Sequence, residues 1–333
     1  MTLPVLAIHG GAGTIEREHL PEDKRYNFSR ISYSLTKFGR QEFLSGLSDA
    51  LHAGWEVLQN GGVALDAVTA AVCALEDNPL FNAGKGAVFT KSGVIRHEAS
   101  IMDGQNRKAG AVSQLSHTKN PIKLAKLLLE KKPNGHIFLV GNEAENFGAE
   151  NGLEQVEQEY FHTPIRWKQH LDGLETHGST KVSEDFASQT HSEDAPKGTV
   201  GAVALDSFGN LAAATSTGGM TNKLQTRIGD TPIIGSGTYA ENGVVACSAT
   251  GEGELFIRSV ASYDVAAQIK YGSKTLDEAA SFTIKRAQEL GSSGGLIAID
   301  ASGKVSMPNS AGMFRGWISA DGEKCGIFFD EDI

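Results

Sequence analysis

Gly198-Thr199-Val200-Gly201-Ala202-Val203-Ala204-Leu205-Asp206 starts a run of small apolar residues, directly after a polar, histidine-dotted stretch from about His162 to Lys197. A turn at Ser207-Phe208-Gly209-Asn210 separates it from a second such run, Leu211-Ala212-Ala213-Ala214-Thr215-Ser216-Thr217. Two short segments of this kind about a glycine turn predict a β-hairpin. Neither run alternates polar with apolar, so both faces of these strands need cover. That requirement predicts an α+β fold of two packed sheets flanked by helix layers.

Upstream, Val5 to Ile8 reads as a strand running into the glycine turn His9-Gly10-Gly11-Ala12-Gly13, and a charged excursion follows from Glu16 to about Arg40. Leu44, Leu47, Leu51, Trp55 and Leu58 fall on one helical face, and Leu65, Val68, Val72 and Leu75 on another, with Asn60-Gly61-Gly62 as the stop between them. This spacing predicts an αα-hairpin. The segments GAVFT (86–90) and AGAVSQL (109–115) are β-like, a helix is expected from Asn120-Pro121 to just before Pro133, and HIFLVG (136–141) reads as a buried strand. From about 164 to 198 Ser, Thr, His, Asp and Glu dominate, which predicts a mobile linker. Beyond the hairpin, Leu255 to Tyr271 precedes a helix capped by Thr275 with Glu278 in the capping-box position, then GGLIAID, a Ser302-Gly303 turn and KVSM.

The 333 residues include 39 glycines and only 9 prolines, a balance that suits tight turns in an ordered fold. A net charge of -10 with no long basic run opposes binding to nucleic acid or anionic membrane, so a small-molecule or dipeptide ligand is expected. MTLPVLAIHGGAG lacks the pattern of a signal peptide, and Cys73, Cys247 and Cys325 are odd in number and far apart. Cytoplasmic localisation without a disulfide framework is the expectation. Gly291-Ser292-Ser293-Gly294-Gly295 fits G-x-S-x-G but lies between a helix and a strand, the reverse of a nucleophile elbow. HGGAG is no phosphate-binding loop, His97-Glu98 lacks the second histidine of a zinc helix, and His162, His170, His177 and His191 offer at most adventitious metal binding. No organic cofactor is expected.

Breaking the Gly198–Thr199 bond would give one residue both a hydroxyl nucleophile and a free α-amine, whose ordinary pKa of roughly 7.7–8.0 suits a base near neutrality. A lone threonine opening a strand is usually there for β-propensity. Here further polar residues follow: Thr215-Ser216-Thr217 closes the hairpin, Arg227 and Asp230 share a glycine-rich loop, and Ser248-Ala249-Thr250-Gly251 comes later.

TVGAVALDSFGNLAAATSTGGMTNKLQTRIGDTPIIGSGTYA (199–240), ATGEGELFIR (249–258), HGGAG (9–13), NPLFNAGKGAVFT (78–90) and MDG (102–104) together resemble the plant-type L-asparaginase/isoaspartyl peptidase family of N-terminal nucleophile hydrolases. The resemblance implies a four-layer αββα domain and self-cleavage between Gly198 and Thr199. The products would be an α subunit, 1–198, and a β subunit, 199–333, assembled as a dimer of αβ heterodimers. It implies Thr199 as nucleophile, Thr217 as its hydrogen-bonding partner, and Thr250 and Gly251 as the oxyanion pair and substrate contacts. It further implies Arg227 as the grip on the substrate α-carboxylate, Asp230 as the acceptor of its α-ammonium, and Asn82 as an organiser of the site. Gly11 and Gly13 become packing positions. The loop from Leu75 to Lys85 resembles one that holds a structural sodium ion through the carbonyls of Leu75, Glu76, Asn78, Phe81, Ala83 and Lys85. Two departures stand out: the 16–40 segment is longer and more charged than expected, and Glu98 replaces an expected aspartate. Both are expected away from the catalytic set. The implied activity is hydrolysis of β-aspartyl dipeptides and L-asparagine. The alternatives are a glycosylasparaginase-like hydrolase and an unprocessed amino-acid-binding homologue.

Overall fold

The structure is a computed structural model that describes residues 2–13, 39–178 and 198–327. The charged 16–40 segment and the linker beyond 178 therefore lie almost wholly outside the described residues. Chain order is β1 (Val5–Gly13), α1 (Arg40–Gln59), α2 (Ala64–Asp77), β2 (His97–Asp103), β3 (Lys108–Leu115), α3 (Pro121–Lys131), β4 (Phe138–Val140), α4 (Gly141–Glu150) and α5 (Pro164–Gly178). After the seam come β5 (Val200–Leu205), β6 (Leu211–Thr217), β7 (Thr238–Glu241), β8 (Val245–Gly251), α6 (Gly253–Ser259), α7 (Ala261–Gly272), α8 (Leu276–Glu289), β9 (Gly294–Asp300), β10 (Val305–Ser306), β11 (Gly312–Ser319) and β12 (Gly322–Gly326).

The strands form an eight-stranded sheet, β12-β11-β1-β5-β6-β2-β3-β4, and a four-stranded sheet, β10-β9-β8-β7. Helices α1, α2 and α3 cover the outer face of the large sheet, the two sheets meet face to face, and α7 and α8 cover the small one. The order is αββα. Along β5, Val200, Ala202 and Ala204 join the core under α1–α3, while Val203 and Leu205 join the core between the sheets. Cover on both faces explains why these antiparallel strands carry no polar alternation. At the hairpin turn Asp206 Oδ1 accepts from the Phe208 and Asn210 N–H groups, and Oδ2 accepts from Ala64 N–H at 3.0 Å. It thereby caps α2, whose own N-cap residue, Val63, has no side-chain acceptor.

Four readings of the sequence need correction. β1 does not stop at Ile8 but continues through the glycines to Gly13, with a register shift between His9 and Gly11. GAVFT forms a 3₁₀ turn at Gly84–Gly86 and isolated bridges at Phe89 and Thr90 rather than a strand. HIFLVG yields only the short edge strand β4, with Phe138 and Val140 exposed, because β3 supplies its one neighbour. The expected linker starts as a helix: α5 docks through the buried Arg166, whose Nε donates to the Gly86 carbonyl at 2.7 Å, and through Trp167 and His170 against the Phe89 ring.

Candidate active site

Thr199 immediately precedes β5 and is buried, as are Thr217 at the end of β6 and Asn82 in the loop after α2. Pairing of β5 with β6 sets Val200 against Ser216, which brings Thr217 alongside Thr199. Thr199 Oγ1 donates to Thr217 Oγ1 at 3.2 Å, and Thr217 Oγ1 in turn donates to the Gly198 carbonyl at 3.2 Å. Gly219 N–H donates to Thr217 Oγ1 at 2.9 Å, so one hydroxyl donates once and accepts twice. Asn82 Nδ2 donates to the same Gly198 carbonyl at 2.6 Å and to the Gly219 carbonyl at 2.7 Å, and its Oδ1 accepts from Val88 N–H at 3.0 Å. The Gly198 carbonyl, the one joined to Thr199, is thus polarised by two side-chain donors beside a hydroxyl nucleophile.

Gly11 closes this site from β1. A Cβ there would stand 2.6 Å from Gly198 Cα and 3.2 Å from Thr199 N, and the residue has φ +110. Only glycine fits. The next residue, Ala12, donates its N–H to Thr250 Oγ1 at 3.3 Å, which joins the fully buried Thr250 to the same edge. At Gly251 a Cβ would meet the Phe256 ring at 2.6 Å and the Ser293 carbonyl at 2.8 Å, so this glycine is also fixed by space.

The loop before β7 carries Arg227 and Asp230. Arg227 Nε and Nη2 donate to the two oxygens of Glu254, both at 2.8 Å, in the two-pronged geometry of a guanidinium and a carboxylate. Burial opposes the arginine's charge, but Glu254, Glu98 and Asp230 together outweigh it and hold the guanidinium more firmly protonated than usual. Asp230 is buried, and burial, reinforced by Glu98 and Glu254 against the pull of Arg227, raises its carboxyl to about 7. Its Oδ2 has no hydrogen-bond partner among the described residues. A Cβ on Gly253 would sit 2.8 Å from Arg227 Nη2 and 3.0 Å from Asp230 Oδ1, so a glycine at the start of α6 lets both groups approach.

Two carboxylates that bond to this loop, Glu98 of β2 and Glu254 of α6, carry no role in the sequence reading. Glu98, expected away from the catalytic set, is fully buried in β2, and its Oε2 accepts from Gly229 N–H at 3.0 Å, one residue from Asp230. Pairing of β2 with β6 sets Glu98 against Thr217, which explains the correction. Glu254 lies in the matched ATGEGELFIR segment; its spacing from Thr250 is the signal that could have found it. Lys223 completes the charge cluster: its Nζ donates to the Arg96 carbonyl at 2.8 Å, and burial lowers its pKa to about 8.

In the Leu75–Lys85 segment the carbonyls of Leu75, Asn78 and Ala83 accept from the N–H groups of Asn78, Phe81 and Gly86, and two glycines are fixed by further carbonyls. A Cβ on Gly84 would stand 2.2 Å from the Glu76 oxygen, and one on Gly86 2.1 Å from the Phe81 oxygen. Neutral carbonyl oxygens are the donor type that a hard cation takes. Thr199, Thr217 and Asn82 meet at the Gly198 carbonyl, Ala12 of β1 joins Thr250 of β8 to that edge, and Glu98 of β2, paired with Thr217, joins the loop that carries Arg227 and Asp230.

Residues 2–327 match the family described as asparaginase. The chain is similar to the isoaspartyl peptidase of Salmonella typhimurium, 43% identical across 98% of this chain and 99% of that one. It is 45% identical to the isoaspartyl peptidase of Escherichia coli, across 97% and 96% of the two chains. The isoaspartyl peptidase/L-asparaginase of Rattus norvegicus is 44% identical across 80% and 77%.

Proposed function

The chain belongs to the asparaginase family, and from that premise we propose that it is a self-processing isoaspartyl peptidase and L-asparaginase with Thr199 as nucleophile. The observation that carries this reading is the Gly198 carbonyl, which accepts from Asn82 Nδ2 and Thr217 Oγ1 while the Thr199 hydroxyl is bonded to Thr217. Thr199 Oγ1 attacks that carbonyl carbon, and its proton passes by way of Thr217. The Gly198–Thr199 amide bond breaks as an ester to Thr199 Oγ1 forms, with the nitrogen leaving as the α-amine. Water then cleaves the ester and frees the Gly198 carboxylate.

In the mature enzyme the α-amine takes the proton as Thr199 Oγ1 attacks the substrate's β-carbonyl. Thr250 and the Gly251 N–H stabilise the oxyanion, the amine or ammonia leaves, and water hydrolyses the β-aspartyl ester. Arg227 binds the substrate α-carboxylate through its Nη1 edge, the edge opposite Glu254. Asp230 Oδ2, which has no hydrogen-bond partner among the described residues, accepts from the α-ammonium, and these two groups together demand a free aspartyl head group. That demand favours isoaspartyl peptidase over endopeptidase. The carbonyls of Leu75, Glu76, Asn78, Phe81, Ala83 and Lys85 would hold a sodium ion, whose contribution is to stiffen the loop that presents Asn82. Assembly as a dimer of αβ heterodimers in the cytoplasm belongs to the same reading; no helix of the described residues is long and apolar enough to cross a membrane.

The test is mass spectrometry of the purified protein together with hydrolysis of β-Asp-Leu, α-Asp-Leu and L-asparagine. Two fragments, the second starting at Thr199, with turnover of the β-linked dipeptide and not the α-linked one, are expected. An intact chain with full activity refutes the reading.

A further inference from the structure

His9 stands in β1 opposite Gly201 of β5 and is completely buried. Its Nδ1 lies 2.9 Å from the Thr199 carbonyl oxygen and its Nε2 2.9 Å from Ser248 Oγ. A carbonyl oxygen only accepts, so Nδ1 carries the hydrogen and Nε2 of the neutral ring accepts from the Ser248 hydroxyl. Burial, against the opposing bond to the Thr199 carbonyl, lowers the ring's pKa to about 3 and keeps it neutral.

Behind Ser248 the hydroxyls continue. Thr215 Oγ1 is 2.7 Å from Ser248 Oγ and accepts from Thr238 Oγ1. Ser100 Oγ shares its hydrogen between Thr238 Oγ1 at 2.8 Å and the Thr231 carbonyl at 2.6 Å. Thr231 follows Asp230. One buried chain of polar groups therefore runs from the nucleophile's own carbonyl to the residue beside the ammonium-binding carboxylate.

Gly201 makes room for this chain. A Cβ there would sit 2.1 Å from Ser248 Oγ and 2.4 Å from His9 Nε2. The residue does not have a positive φ, so space rather than backbone freedom requires the glycine.

We propose that His9 is a positioning residue of the reaction: its Nδ1–H fixes the Thr199 carbonyl, and the hydroxyls of Ser248, Thr215, Thr238 and Ser100 tie that grip to the clamp loop at Thr231. The proposal rests on Thr199 being the nucleophile. His9 exchanges no proton with substrate; it sets where the Thr199 hydroxyl and amine stand relative to a bound aspartyl group.

Asparagine and glutamine at position 9 separate positioning from core filling. The asparagine amide places an N–H where Nδ1 stands, the glutamine amide where Nε2 stands, and each removes part of the ring from the core. His9→Asn is expected to lower kcat about threefold and His9→Gln about thirtyfold, with KM for β-Asp-Leu changed less than about twofold in both, since the difference is one hydrogen bond felt by the transition state. Melting temperatures measured alongside report the packing loss that both share. Equal kcat values for the two variants overturn the proposal. Ser248→Ala leaves every side chain around Thr199 in place and decides the matter if a His9 variant does not fold: processed protein with kcat roughly fivefold lower supports it, and unchanged kcat overturns it. Wild-type protein that neither cleaves itself nor hydrolyses β-Asp-Leu refutes Thr199 as nucleophile and takes the proposal with it.

Discussion

The nucleophile end and the clamp end of this site are built from opposite materials. Around Thr199 the hydrogen-bonding groups are neutral, and the Thr199 and Thr217 hydroxyls, the Asn82 amide and the Gly219 N–H are bonded into one network. Around Asp230 the groups are charged; Asp230 and Glu98 are buried, one Asp230 carboxylate oxygen has no partner among the described residues, and its ionisation is displaced far from its ordinary range. The nucleophile must already be placed before substrate arrives, because it first acts on its own chain. In the proposed function the clamp instead keeps its strongest interaction unmade until an ammonium group enters, since a buried carboxyl gains most from a partner it lacks.

The sharpest way to break this contrast is Thr199→Ala. It should leave a single uncut chain and lower turnover by on the order of 10⁴-fold or more, as loss of a covalent nucleophile does; a denaturing gel and a β-Asp-Leu assay read both effects. Arg227→Lys tests the separation from the other side. Self-cleavage should proceed normally, because Arg227 makes no bond to Gly198 or Thr199, whereas kcat/KM should fall roughly 10- to 100-fold as the two-pronged charge-assisted contact is lost.

A smaller effect comes from pH. Asp230 is raised to about 7, so at pH 5 it carries a proton and cannot pair with an ammonium, while at pH 8 it is ionised. Apparent KM for β-Asp-Leu should therefore fall as pH rises from 5 to 8, by up to about tenfold per pH unit on the acid side, and Asp230→Asn should flatten that trend. For folding the sign is opposite. A carboxyl whose pKa is raised in the fold holds its proton more tightly there than in the unfolded chain, so its contribution favours the fold at acid pH and is lost as pH rises from 3.8 toward about 7. The smallest effect is Glu98→Gln. Removing one like charge beside Asp230 should move the midpoint of the KM profile to lower pH without stopping self-cleavage; an unmoved midpoint would detach Glu98 from the clamp.

The same contrast governs what the sequence made legible. The β5–β6 hairpin, the αα-hairpin and the Thr275–Glu278 capping box follow local rules, and their residues stand within a few turns of one another. Glu98 and His9 were not assigned, because their partners Gly229, Thr199 and Ser248 are 131, 190 and 239 residues away and meet them only through sheet pairing. α5 was missed for a related reason. Its apolar positions are sparse, and what anchors it is the buried Arg166 guanidinium bonded to the carbonyls of Gly86 and Leu80, a contact that no periodicity announces. The clamp pair was legible in residue type through family resemblance, yet the displaced ionisation of Asp230 depends on burial that only the packed layers supply.

β1 lies between β11 and β5, and β6 pairs with β2, so the large sheet threads strands from before and after Gly198 through one another. The proposed cut at that point removes no ladder hydrogen bond of the described strands, since β5 starts at Val200. It changes the order of the folding reaction instead: the precursor folds as one molecule, whereas a mature molecule that unfolds becomes two, and its recovery depends on their meeting again. Dilution, which leaves precursor refolding untouched, would slow that recovery. Under the proposed cleavage, maturation therefore also gives the protein a history, in which the active form can be reached readily from the uncut chain and only with difficulty from its own separated halves.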